Sequence, residues 1–277
     1  MLQNLFKVFA LAMIWLSCFA LQGLSEVGGA MTESKGFLLI VYDNNTLRQD
    51  LTASWGFSCL IDLPHAHILF DTGGDASILL RNMRRMDIDP GKIDTVVLSH
   101  GHGDHTGGLF GLLQVHNDLT VYIPESFPRR FKEEVVFMGA RIKEVGGPMM
   151  IQPGVYTSGE LGKGIKEQSL FLKTTKGLVI ITGCAHPGIA EIAEEARRLF
   201  EDKVHLVIGG LHLSGHSRSQ IRAIAERLDA TGMEKIAPCH CSGDMARALL
   251  RKHYADNYVP CGVGLVLGIP SLQRRGE

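Results

Sequence analysis

The chain has 277 residues, of which 45% are hydrophobic and 21% charged, and this composition excludes a disordered polar chain. Its 28 basic and 29 acidic residues nearly cancel, so no excess of positive charge favours a nucleic-acid partner. Six cysteines are scattered along a chain that is long enough to build a core without disulfide staples. The 12 histidines are the unusual feature, because histidine is the commonest metal ligand.

Residues 1–30 differ in character from the remainder of the chain. Lys7 is the only charged residue before an apolar run over residues 8–21. A short positive start followed by an apolar stretch is typical of a signal peptide. We therefore predict a leader or membrane anchor in residues 1–30, and export to the periplasm or the membrane. Alternatively Met31 is the true start, in which case we expect a cytoplasmic protein.

From residue 36 onward, apolar runs alternate with helical periodicity. In chain order the pattern predicts strands 37–42, 58–63 and 67–70, helix 76–86, strands 95–98 and 121–123, a helix from 129, strands 170–174 and 178–182, helix 189–200, strand 204–208, helix 217–228, strand 235–237 and helix 244–253. No repeat or linker interrupts these elements, so we predict one α/β domain over residues 31–277. Two sheets covered by helices on both outer faces, a four-layer αββα sandwich, would bury all the apolar faces.

The segment 99–108 carries the strongest chemical signal in the chain. Three histidines and a carboxylate lie within it, at His100, His102, Asp104 and His105, with glycines between them. Imidazole and carboxylate are ligands that zinc, iron and manganese accept. Residues 100 and 102 can face one side of an extended loop, whereas residues 104 and 105 can reach a second ion. The segment predicts a centre of one or two divalent ions, with Zn²⁺ favoured over Mn²⁺, Fe²⁺ or Mg²⁺.

The pattern His-x-His-x-Asp-His after a strand resembles the signature of the metallo-β-lactamase superfamily, and residues 70–74 resemble its upstream aspartate motif. Other segments resemble one branch, which contains the dihydropterin ribofuranosylaminobenzene-phosphate synthases; they are residues 43–45, 55–58, 82–83, 167–170, 183–188, 209–213 and 238–243. The resemblance covers residues 36–266. It implies the metallo-β-lactamase fold.

Three later histidines follow predicted strands, and the resemblance implies that some of them complete the metal centre. His186 ends a strand and is held extended by the proline after it, so we predict a ligand there. The carboxyl ends of neighbouring strands line one crevice, so His212 and His240 can both reach the site. We assign His212 to the metal and His240, with Asp104, to catalysis; the reverse assignment of the two histidines stays open.

Other positions concern the surroundings of the metal. Glu167 is the nearest candidate where many superfamily members carry a separate histidine ligand, and Cys184 replaces the carboxylate that usually bridges two ions. Each is an uncertain ligand. We expect Asp71 to orient the metal loop by accepting hydrogen bonds, with an ordinary turn as the alternative. Cys239 and Cys241 resemble a Cys-x-Cys metal clip, but we expect both to pack at a strand end.

These residues favour a metal-dependent hydrolase that uses a metal-bound hydroxide on a small, anionic ester or phosphoester. One alternative is a transferase of the synthase type named above. Export argues against it, because its substrates are cytoplasmic metabolites. Another alternative is a non-catalytic metal- or ligand-binding protein on the same fold. The oligomeric state does not follow from the sequence.

Overall fold

The computed structural model describes residues 36–273, and the predicted leader in residues 1–30 lies outside them. The strands are β1 (Phe37–Tyr42), β2 (Ser58–Leu63), β3 (Ala66–Phe70), β4 (Thr95–Val97), β5 (Thr120–Pro124), β6 (Arg141–Val145), β7 (Met149–Gln152), β8 (Val155–Thr157), β9 (Leu170–Thr174), β10 (Gly177–Thr182), β11 (Val204–Gly210), β12 (Lys235–Cys239) and β13 (Val266–Gly268). The helices are α1 (Ala76–Arg85), α2 (Gly103–Thr106), α3 (Leu109–Val115), α4 (Arg129–Phe137), α5 (Ile189–Phe200), α6 (Arg218–Ala230) and α7 (Asp244–Tyr254).

The strands form two sheets. The first has seven strands in the order β13-β1-β2-β3-β4-β5-β6, and the second has six in the order β12-β11-β10-β9-β8-β7. Strands β3 to β6 pair in parallel, as do β10, β11 and β12. The remaining pairs are antiparallel.

Three apolar clusters show how the layers stack. One lies between the sheets and includes Ile40, Ile68, Ile181 and Ile208, all fully buried. A second joins the first sheet to α1, α3 and α4, and a third joins the second sheet to α5, α6 and α7. Fully burying one such aliphatic side chain contributes about 1.5–3 kcal/mol. The predicted αββα sandwich is therefore confirmed.

The strands between residues 141 and 157 were not predicted from the sequence. The reason is visible in β6 and β7, which form the outer edge of each sheet. In β6, Arg141, Lys143 and Glu144 are exposed, so no apolar alternation marks the strand. Charged side chains on an edge strand also discourage pairing with another chain.

The topology brings several strand ends to one edge of the sandwich. Strands β3 and β4 of the first sheet end there, as do β10, β11 and β12 of the second. Ligand-binding residues collect outside the carboxyl ends of strands in open α/β sheets. Within residues 36–273, none of the helices has the length and apolar character needed to cross a bilayer.

Candidate metal centre

The metal loop follows β4 and turns tightly against the segment after β3. Its glycines allow this contact, since a Cβ on Gly108 would lie 2.1 Å from the Thr72 carbonyl oxygen. A Cβ on Gly107 would lie 2.4 Å from the Gly74 carbonyl oxygen. His102 caps the short helix α2, which carries Asp104 and His105. The loop therefore holds its four candidate ligands on a backbone fixed by close packing.

Asp71 lies beneath the loop, fully buried and with a left-handed backbone (φ 57°). It accepts the Ser99 N–H at 2.6 Å, the Ser99 hydroxyl at 2.6 Å and His105 Nδ1 at 2.7 Å. Burial raises the pKa of Asp71 to about 7, against the opposing effects of His100 and the Ser99 hydrogen bonds. A carboxylate that accepts the Nδ1 proton leaves the Nε2 lone pair of His105 facing the site.

The Ser99 hydroxyl fixes the tautomer of His100 in the same way as Asp71 fixes that of His105. Because its single proton goes to Asp71, the Ser99 oxygen accepts from His100 Nδ1, at 2.9 Å. His100 Nε2 is then unprotonated and lies 3.0 Å from Nδ1 of His102, whose side chain is exposed. Burial lowers the pKa of both His100 and His105 to about 3, so both rings are neutral at pH 7.

Glu167 orients His186 from below. Its buried carboxylate accepts the N–H groups of Cys184 and Ala185 at 2.8 Å, and that of His186 at 2.9 Å. The same group accepts from His186 Nδ1 at 2.8 Å. Burial alone would raise the pKa of Glu167, but the hydrogen bond from His186 and those from the backbone N–H groups outweigh burial and lower it to about 2. Glu167 is therefore ionised, and it directs Nε2 of His186 towards the metal loop.

Asn44 orients His240 in a comparable way, which the sequence did not reveal. The Gly56 N–H donates to Asn44 Oδ1 at 3.1 Å, so this atom is the amide oxygen. Asn44 Oδ1 lies 3.1 Å from His240 Nδ1, which must therefore carry the proton. Buried Asp43 accepts the His240 N–H at 2.9 Å. Only the resemblance of residues 43–45 to one branch marked this segment.

The donor atoms converge as ligands of shared ions would. His105 Nε2 lies 3.2 Å from His240 Nε2 and 3.3 Å from Cys184 Sγ. Two nitrogens on one tetrahedral zinc lie about 3.3 Å apart, given Zn–N bonds of about 2.0–2.1 Å. Asp104 Oδ2 lies 3.3 Å from His240 Nε2. Burial would lower the pKa of His240, but the hydrogen bond with Asp104, together with the weaker effects of other neighbouring groups, raises it.

Groups of donors within 4.8 Å of one another separate into three sets. The sets are His100 with Cys184 and His186, then His105 with Cys184 and His240, then Cys184 with His212 and Cys241. Cys184 is common to all three. The structure thus places His240 beside His105, and places exposed His212 in the set that has two cysteines. The residues present fit a divalent metal centre.

Four further histidines have structural partners of their own: His67 contacts Asp62, His116 contacts the Ile93 carbonyl, His205 contacts Glu234, and His253 contacts Asp229. Such contacts are ordinary structural uses of histidine.

A tryptophan borders the site on its open side. The Trp55 ring lies 4.9 Å from that of His240, centroid to centroid, and the residue is 60% exposed. The large exposed aromatic surface lies next to candidate ligands, where a substrate would approach. Sequence patterning did not assign Trp55 a role, since one tryptophan in a loop carries no periodic signal.

Comparison with known proteins agrees with this geometry. The family model of the metallo-beta-lactamase superfamily matches residues 56–221, which is more than half of the chain. The chain belongs to the metallo-β-lactamase superfamily. The resemblance inferred from the metal loop is therefore confirmed.

Two curated proteins of Methanocaldococcus jannaschii are similar to this superfamily member. One is 7,8-dihydropterin-6-methyl-4-(beta-D-ribofuranosyl)-aminobenzene-5'-phosphate synthase, 30% identical over 76% of this chain and 89% of the relative. The other, an uncharacterised protein, is 30% identical over 82% of this chain and 98% of the relative.

Among solved structures, one described as a metal-dependent hydrolase of the beta-lactamase superfamily has a TM-score of 0.74 and 26% identity. It is covered completely and covers 85% of this chain. Human tRNase Z, short form, has a TM-score of 0.56 at 14% identity, covering 84% of this chain and 99% of its own; it shows the shared fold alone.

Proposed function

We propose that the protein is a metal-dependent hydrolase that acts on a small, anionic ester or phosphoester. The observation that carries the proposal is the convergence of His105 Nε2 and His240 Nε2 at 3.2 Å, each with its other ring nitrogen held by a separate partner. The solved structure at a TM-score of 0.74, described as a metal-dependent hydrolase, supports it.

His100, His102 and His186 would hold the first ion, and Asp104, His105 and His240 would hold the second. Cys184 belongs to a donor set on each side. The sequence assigned His212 to the metal and His240 to catalysis; this assignment instead gives His240 to the second ion and leaves His212 outside both ions. Zn²⁺ is the ion we expect, because imidazole, carboxylate and thiolate together suit it. When bound, a divalent ion activates water at neutral pH and polarises the ester oxygen.

The chain's own residues then determine binding and proton movement. His240 cannot donate from Nδ1, because that N–H is held by Asn44. Asp104 is partly exposed, at 22% of its side chain. Burial would raise the pKa of Asp104, but the hydrogen bond with His240, together with the weaker effects of other neighbouring groups, holds this pKa below its usual range. Asp104 is thus ionised, and it would orient a water at the centre by accepting a hydrogen bond from it.

The anionic substrate is inferred from a basic loop at the rim. Leu161 and Glu167 pair through their backbones, so residues 162–166 form a loop that ends at Glu167. This loop lies against Pro187, since a Cβ on Gly162 would lie 3.3 Å from that ring. Lys163 is exposed and Lys166 half-buried, and neither forms an ion pair within residues 36–273. Both ammonium groups are available to an anion.

The first experiment is metal content by elemental mass spectrometry on the full chain, purified without chelator or tag histidines. The double variant His102→Ala with Asp104→Ala removes one ligand of each ion. His65→Ala, an exposed histidine at the β2–β3 turn, is the control. We expect the double variant to hold about two equivalents of metal less than the unaltered chain, and the control to hold as much metal as the unaltered chain. No metal after reconstitution would overturn the proposal.

A panel of carboxylic esters, phosphoesters and lactams then tests the reaction. We expect turnover of an ester or phosphoester that the double variant lacks.

A transferase is the second candidate, because the synthase relative is matched over 89% of its length. About one equivalent of metal, together with condensation of a dihydropterin diphosphate with an aminobenzene ribofuranosyl phosphate, would favour it. Bound metal without turnover in either assay would favour a non-catalytic binding protein. Export stays a prediction from residues 1–30.

A further inference from the structure

Two cysteines stand apart from the others in the described chain. Cys59, Cys239 and Cys261 belong to the apolar cluster between the sheets, as expected for small buried residues. Cys184 and Cys241 are also buried, and neither belongs to an apolar cluster. Cys239 and Cys241 are both buried at the end of β12, as expected from the sequence, but only Cys239 belongs to the apolar cluster.

The backbone directs Cys241 to the edge of the metal centre. Strand β12 ends at Cys239, and the tight turn over residues 240–242 follows it. His240 within this turn has a left-handed backbone (φ 46°). Cys241 Sγ then lies 3.6 Å from the Cys184 carbonyl oxygen.

Neighbouring residues leave space for this sulfur. A Cβ on Gly210 would lie only 2.8 Å from Cys241 Sγ, so glycine at this strand end makes room for the thiol. His212 follows two residues later with a left-handed backbone (φ 51°), and its ring lies 4.5 Å from that of His186. The ligand atoms of Cys184, His212 and Cys241 all lie within 4.8 Å of one another.

The donor chemistry of this set differs from that of the other two. Two sulfurs and one imidazole suit Zn²⁺ and softer ions, whereas Mg²⁺ and Mn²⁺ prefer oxygen. His212 is exposed, which gives an ion access from solvent and leaves a fourth position open. Binding would displace the two thiol protons to the buffer.

We propose that Cys184, Cys241 and His212 form a thiolate-containing site that binds one thiophilic divalent ion, beside the histidine centre. This site is separate from the proposed hydrolase activity, because it can bind an ion whether or not the protein hydrolyses a substrate. Cys184 also belongs to both histidine sets. An ion bound at the proposed site would therefore share Cys184 with the histidine centre.

Cobalt spectroscopy on the full, reduced chain tests the site, since Co²⁺ bound by thiolate absorbs strongly in the near ultraviolet and Co²⁺ bound by nitrogen and oxygen does not. We expect this charge-transfer band in the unaltered chain and in Cys239→Ser. We expect Cys241→Ser to lose at least about half of the band intensity and to bind about one equivalent of cobalt less than the unaltered chain. Cys239 is the matched control, because it is buried two residues away and faces the core.

The double variant His102→Ala with Asp104→Ala should keep the band, which separates this site from the histidine centre. A band unchanged in Cys241→Ser would overturn the proposal and assign the sulfur ligand to Cys184 alone. Cobalt bound without any charge-transfer band would also overturn it, and would reduce the histidine centre to its nitrogen and oxygen ligands without Cys184. If Cys241→Ser does not fold by circular dichroism, His212→Asn at an exposed position replaces it, with loss of intensity expected.

Discussion

Glu167 Oε2 lies 2.8 Å from Nδ1 of His186, and the same carboxylate accepts three consecutive backbone N–H groups from residues 184–186. One buried side chain thus fixes both the path of the loop and the orientation of the ring. From the sequence, Glu167 was an uncertain ligand at the place where many superfamily members carry a separate histidine; in the structure it orients His186 instead. His186 supplies the imidazole from the end of β10.

Glu167→Gln tests this relationship. The amide cannot accept as strongly from His186 and has no charge, so we expect metal affinity to fall by about 10–100-fold. A zinc titration against a chromophoric chelator measures this change. Glu133→Gln, at an exposed residue paired with Arg129, should leave the affinity unchanged. Unaltered zinc affinity in Glu167→Gln would show that His186 needs no such support.

Asn44→Ala should allow His240 to adopt either tautomer. Without the amide oxygen, Nδ1 of His240 loses its acceptor, and we expect about 10-fold weaker binding of one ion only. Nitrogen NMR of the metal-free chain should show a mixture of His240 tautomers where the unaltered chain shows the form protonated at Nδ1. Asn117→Ala, whose amide donates to the Met138 carbonyl far from the site, is the control.

Gly108→Ala should strongly destabilise the fold. The added Cβ would lie 2.1 Å from a backbone oxygen, which cannot move without shifting the segment after β3. Such overpacking costs about 1–3 kcal/mol or more in the free energy of unfolding. Gly103→Ala is the matched substitution, because nothing lies within 4 Å of its Cβ and it is in a helical turn. Urea unfolding with chelator present should show Gly103→Ala at or above the unaltered stability.

Asn82→Ala should destabilise the chain without touching the metal centre. The buried amide accepts the Thr52 N–H and donates to the carbonyls of Thr52 and Val41, each at 2.9 Å. Its loss leaves these backbone groups without a partner, at about 1–3 kcal/mol for a buried group. Thermal unfolding with and without chelator measures the loss. An equal loss under both conditions is expected, and a loss confined to the metal-loaded chain would contradict this account.

Trp55→Ala should affect substrate binding more than metal content. The residue is 60% exposed, so its removal costs little stability. Aromatic contacts are worth about 0.5–1.5 kcal/mol, which corresponds to a rise in KM of up to about tenfold. Steady-state kinetics on the ester found in the panel provides the measurement. Trp55→Phe should recover part of the affinity, and an unchanged KM in Trp55→Ala would place the substrate elsewhere.

The sequence by itself determined the metal loop and the principal strands and helices. The four candidate ligands of residues 100–105 are adjacent in the chain, so their convergence needs only a local turn. Apolar periodicity located the strands that are buried on both faces, such as β10, because burial leaves a continuous apolar run. Apolar periodicity did not reveal the edge strand β6, because most of its side chains are exposed and the strand has no continuous apolar run.

The tertiary structure alone decided how the other groups meet. Asn44 and His240 are 196 residues apart, and only the pairing of strands within two sheets brings them together. His212 and His240 follow neighbouring parallel strands, so spacing could not tell which lies beside His105. Cys239 and Cys241 flank His240, and the sequence could not show that their side chains have different surroundings. A left-handed turn at His240 sends one sulfur to the core and the other to the metal centre, and that turn is set by packing around it.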